Sequence, residues 1–98
     1  MPYIKQEKRD VLDSAIDELH LLLDELENDD ESNNMEGNIN YAFTRLLMKC
    51  YGESYRDINN IMGVLSCVQQ EFYRTIAAPY ENQKRFENGE IETEVNDN

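Results

Sequence analysis

Apolar residues recur every three or four positions through several stretches of the chain, and each stretch reads as a helix with one apolar stripe. The first runs through Val11, Leu12, Ala15, Ile16, Leu19, Leu22, Leu23 and Leu26. Asp13-Ser14 can cap a new start within it, so two forms fit: a short turn from Lys5 to Leu12 followed by a helix from Ser14 to Glu27, or one continuous rod. The second helix is predicted from about Ile39 to Tyr51, with Ile39, Phe43, Leu46, Leu47 and Cys50 on one side, Asn38 as its N-cap and Gly52 just past its end. The third starts at Tyr55 or Arg56 behind Ser54 and keeps Ile58, Ile61, Met62, Leu65, Val68, Phe72 and Ile76 in register. Pro79 lacks a backbone donor and clashes with the preceding turn, so this helix is expected to kink there or to stop and restart. A last helical piece from Tyr80 to Asn88 ends at Gly89.

Residues 28–37 hold one apolar side chain among acids and Asn, and read as a solvated acidic loop. Glu90 to Asn98 reads as a disordered acidic tail. No segment alternates as a strand does. The pattern predicts an all-α fold, a small antiparallel helical bundle of three main helices plus a short helix after Pro79. One helical domain is expected over residues 1–89, with the tail over 90–98.

With 98 residues the chain has room for one modest core, which excludes a second domain. No run approaches the ~18 consecutive apolar residues of a membrane span. Met1-Pro2-Tyr3-Ile4-Lys5-Gln6-Glu7 lacks the apolar segment of a signal peptide. A cytoplasmic protein without a membrane partner is therefore expected. Cys50 and Cys67 sit in apolar helical patterns, as suits two buried thiols in a reducing compartment, and a metal site needs more ligands than these two offer.

The net charge of -12 is unevenly placed. Residues 1–36 hold twelve acids and three bases, residues 37–80 three acids and four bases, and residues 81–98 six acids and two bases. The acid thus belongs to the first helix, the loop and the tail, while the centre is close to neutral. A solvated outer face explains such a run, and so does a negative surface that attracts a basic protein in competition with nucleic acid. Neither reading favours direct nucleic-acid binding.

The centre carries its own chemistry. Tyr41, Arg45 and Lys49 recur every fourth residue on one face of the second helix, and Tyr51, Tyr55 and Arg56 crowd the turn that follows. A ring beside guanidinium and ammonium groups can stack on a base and hold a phosphate. Arg45 can equally pair with Glu71 or Asp57 inside a bundle. Gly63, Ser66, Cys67 and Gln70 form a small and polar strip on the third helix, which suits close approach of another helix and predicts a homo-oligomer. The chain has no phosphate-cradling glycine loop, Cys-x-x-Cys or Gly-x-Ser-x-Gly, and its one histidine, His20, borders the apolar face as a structural or surface residue. Asp17-Glu18 with Asp24-Glu25 and Glu27 only approximates the paired carboxylates of helical Mg²⁺-dependent hydrolases, and Glu71 alone does not hold a metal.

Asn40-Tyr41-Ala42-Phe43-Thr44-Arg45-Leu46, Tyr55-Arg56-Asp57-Ile58-Asn59, Gly63-Val64-Leu65-Ser66-Cys67, Glu71-Phe72-Tyr73-Arg74 and Ala78-Pro79-Tyr80-Glu81, with the opening Met1-Pro2-Tyr3-Ile4, resemble a family of short bacteriophage and bacterial proteins with no assigned function. The resemblance covers most of residues 1–89. It departs in the longer, more acidic loop 28–36, in the tail after Gly89, and at Ser14, where family members often carry a proline that would start a helix. The resemblance implies that Tyr41, Arg45, Asp57, Asn59, Glu71, Arg74, Tyr80 and Glu81 belong to the family pattern. With Lys49, Tyr55 and Arg56 they are the candidate ligand-binding residues. No catalytic residue, metal ligand or cofactor is assigned. The expectation is a non-enzymatic, self-assembling binding protein of phage type, in the host cytoplasm if phage-encoded, that blocks or sequesters a host or defence component. Alternatives are an oligomeric sponge for a signalling nucleotide, a metal-dependent nucleotide hydrolase using Glu71, and a structural subunit without ligand.

Overall fold

The computed structural model describes residues 2–29 and 34–91. Its elements are α1 (Gln6–Asp29), α2 (Met35–Cys50), α3 (Tyr55–Phe72), a π-helical turn (Tyr73–Ala77) and α4 (Ala78–Asn88), and the described residues include no strand. The chain divides into two units, Met1–Ile58 and Asn59–Asn98.

In the first unit α1 is one continuous helix, so Ser14 does not restart it. Its first turn is anchored by the Lys5 carbonyl, which accepts the amides of Lys8 at 3.0 Å and Arg9 at 3.1 Å, while Arg9 Nε donates to the Ile4 carbonyl at 2.6 Å. The far end is less favourable: Asp24, Glu25, Glu27 and Asp29 stand where the helix dipole favours cations, and no base occupies the last turn. Packing against α2 offsets this. The half-buried apolar positions of the two helices are Leu19, Leu23, Met35, Ile39, Ala42 and Leu47.

The start of α2 corrects the expected helix boundary. Asn34, not Asn38, is the N-cap, its Oδ1 accepting the Gly37 amide at 3.1 Å, so helix extends from both sides into the predicted loop 28–37. Residues 30–33 of that loop lie outside the described residues. The helix ends at Cys50, and Gly52 follows the C-cap Tyr51 as expected. A Cβ on Gly52 would come within 2.7 Å of Asp57 Oδ2, so a side chain there would push the carboxylate away from the start of α3.

That start is built by Ser54. Its Oγ accepts the Asp57 amide at 3.1 Å and donates to Asp57 Oδ2 at 2.8 Å, a reciprocal cap with Asp at the third helical position. Ser54→Ala removes both bonds and is expected to cost about 1 kcal/mol. A thermal melt against Ser54→Asp, which restores a capping acceptor, checks it.

In the second unit the helix neither breaks nor stops at Pro79. The Ala78 amide bonds to the Tyr73 carbonyl, five residues back, and Pro79 then lies in the first turn of α4. Proline has no N–H to place in an α-ladder and its ring strikes the carbonyl four residues earlier, here that of Thr75. One wide turn relocates that carbonyl while keeping the chain helical. Thr75 Oγ1 donates to the Glu71 carbonyl at 2.7 Å, giving a group on the widening turn a further partner. The helix closes at Gly89, whose φ of +95° lies in the region that favours glycine. Residues 92–98 of the predicted tail lie outside the described residues.

No described residue is buried. The stripes are where the periodicity puts them, yet Val11 is 71% exposed and Phe72 60%. The expectation of buried thiols is corrected accordingly: Cys50 and Cys67 are free and exposed, because periodicity tells which side of a helix is apolar and not what covers it. Apart from its own helix and chain neighbours, no described residue has a heavy atom within 4 Å of the position a Cβ on Gly63 would take.

Candidate functional site

The helical repeat of α2 places Tyr41, Arg45 and Lys49 in one row on the side away from Phe43 and Leu47. All three are exposed, as are Tyr55 and Arg56 on the first turn of α3. Arg45, Lys49 and Arg56 form no hydrogen bond or ion pair with a described residue. The proposed pairing of Arg45 with Asp57 is therefore not made. Asp57 is half-buried and committed to Ser54. The row offers two cations and a ring to solvent, a surface that can meet an anion but does not enclose one.

Glu71, Arg74, Tyr80 and Glu81, in the second unit, lie on or beside the π turn. Arg74 Nη2 donates to both carboxylate oxygens of Glu71, at 2.9 Å and 2.6 Å, across one turn. With Arg74 largely exposed and Glu71 half-buried, such a pair is worth at most about 1 kcal/mol, and it places a compact, neutralised group where the helix widens. Tyr80 stands beyond Pro79 with Lys84 Nζ 5.7 Å from its ring centroid. Glu81 falls in the first turn of α4, where a carboxylate suits the helix dipole. Asn59 is exposed on α3. The structure thus distributes the predicted residues over a cationic row, a capped helix start and a π turn.

Thr75 and Lys84 belong with the π turn and were not chosen from the sequence; their signals were the four-residue spacings Glu71 to Thr75 and Tyr80 to Lys84. His20 Nε2 lies 3.2 Å from Asp24 Oδ2 on exposed surface. No three potential metal ligands gather among the described residues. An open groove at the start of α1 is lined by Ile4, Glu7, Lys8, Val11 and Leu12, and takes in none of the candidates.

A protein-family model described as Domain of unknown function (DUF6899) matches residues 1–91. The chain belongs to this family. The DUF6899 match spans both units and every candidate residue, which fits the short, functionally unassigned family expected from the motifs. No curated protein and no solved structure matches the chain. No helix among the described residues is long and apolar enough to cross a membrane.

Proposed function

We propose that this DUF6899 protein is a non-enzymatic helical binding protein of phage type, one that associates with itself and blocks or sequesters a component of a host or of its defence system. The observation that carries the reading is that no described residue is buried. Isolated helices are marginal in water, and apolar stripes left open gain a core only when further apolar surface closes over them. A second copy and a target protein both supply such a surface. The resemblance of Asn40 to Glu81 to a family of short bacteriophage and bacterial proteins supports the setting. The test is affinity capture from host lysate, followed by titration with the purified captured protein. A saturable complex of fixed stoichiometry is expected, and retention of neither a protein nor a small molecule contradicts the proposal.

One observation favours a second reading, an oligomeric sponge for a signalling nucleotide. Among the described residues Arg45, Lys49 and Arg56 have no hydrogen-bond or ion-pair partner, and Tyr41 and Tyr55 are 68% and 79% exposed. A subunit whose polar side chains were all used in internal contacts would not leave these free. A nucleotide at ~100 times its Kd adds ~2.7 kcal/mol of stability. On this reading a thermal shift appears within a panel of cyclic and linear nucleotides and disappears in Arg45→Ala/Lys49→Ala. Absence of any shift across the panel removes it.

A further inference from the structure

Along α3, Ile58, Ile61, Leu65, Val68 and Phe72 follow one another at spacings of three, four, three and four, the phase of a coiled-coil seam. Ile61 is half-buried and the other four are 39–60% exposed. Met62 and Val64 flank the seam at 61% and 39% exposure. From Asn59 to Gln70 there is no charged residue, in a chain where 31% of residues are charged and the net charge is -12. The nearest acids on either side are already engaged, Asp57 by Ser54 and Glu71 by Arg74.

We infer that the α3 seam is the surface through which two copies of this chain pair, helix against helix. The inference rests on the self-association proposed above and names its face. Two copies of so acidic a chain repel each other over most of their surface, and repulsion is least where charge is absent. Such a face meets its own equivalent in a two-fold pair without bringing like charges together. In a parallel pair, Asp57, Val64 and Glu71 on one edge of the seam meet Met62, Gln69 and Ile76 of the second copy, and no acid faces an acid. Gly63 and Gln70 lie on the far side and stay in water.

Sedimentation of the full chain with two double variants of equal added charge tests the seam. Leu65→Glu/Val68→Glu is expected to weaken association at least hundredfold and leave single chains, whereas Asn60→Glu/Gln70→Glu, away from the seam, keeps the parent mass. Should the seam variant lose its helical circular dichroism, oxidative cross-linking decides instead. In a Cys50→Ser/Cys67→Ser background, single cysteines are placed in turn along the seam (Ile61→Cys, Leu65→Cys, Val68→Cys) and on the far face (Gly63→Cys, Gln70→Cys). Covalent dimers from seam cysteines and not from far-face ones support the pairing. If the parent chain associates but neither double variant changes its mass, or both dissociate alike, or the cross-links form elsewhere, another face is used and the α3 seam is wrong while self-association stands. A parent chain that sediments as a monomer overturns both.

Discussion

A hundredfold dilution is expected to lower the melting temperature by roughly 5–10 °C, a shift that an independently folding monomer would not show. When folding is coupled to association of two chains, a hundredfold change in concentration changes stability by about 2.7 kcal/mol. The unit that then melts is two chains, about 200 residues, and responds by about 2–4 °C per kcal/mol. The reason to expect the coupling is that Leu12, Ile16, Leu22 and Leu26 on α1 and Phe43 and Leu46 on α2 all remain about half exposed. Apolar burial is the main favourable term in folding, and here much of it is still to be gained. Circular dichroism melts across two decades of concentration make the measurement.

The second large effect is expected where α1 and α2 pack against each other. Leu23→Asp/Ile39→Asp places two carboxylates at half-buried apolar positions of these two helices. Each is expected to cost about 2–3 kcal/mol. At about 0.05 kcal/mol per residue a chain of this size has a margin of about 5 kcal/mol, and the double variant, losing about 4–6 kcal/mol, should show a large fall in helical signal at 25 °C. Leu21→Asp is the matched control. Leu21 is 63% exposed on the outer side of α1, and its replacement should change stability by less than about 0.5 kcal/mol. Equal loss in both would mean that the α1–α2 contact does not organise the first unit.

Local chemistry was legible from the residues where it did not depend on a neighbour. Ser54 and Gly89 mark helix ends because capping needs only the next few residues, and both act as expected. Asn34 and Asn38 both suit an N-cap, and with four Asn and several acids around one apolar residue, Met35, periodicity gives no start point that separates them. Pro79 announced a disturbance but not its form. A π turn adds a residue to one turn without disturbing the four-residue step from Phe72 to Ile76, and leaves no mark in the pattern. Among the site residues, Glu71 and Arg74 could be paired from their spacing, whereas Asp57 was offered to Arg45 although the motif Ser54-x-x-Asp57 already assigns its carboxylate to the cap. The exposure of Cys50 and Cys67 was illegible for a different reason: a stripe shows what wants cover, and the cover is not written in the same helix.

Salt acts in opposite directions on self-association and on nucleotide binding. Screening weakens repulsion between two acidic chains, so self-association should tighten as NaCl rises, while a nucleotide held by Arg45 and Lys49 should bind less well.

Closure of the open apolar faces by a second copy, as proposed above, would show directly in the mass in solution. Sedimentation equilibrium of the purified full chain over the micromolar range tests it most directly. The expected result is a mass that is a whole multiple of 11.5 kDa and falls toward a single chain on dilution, with helical signal falling in parallel. A mass of one chain at every concentration, with full helicity and a sharp melt that does not move, would contradict it.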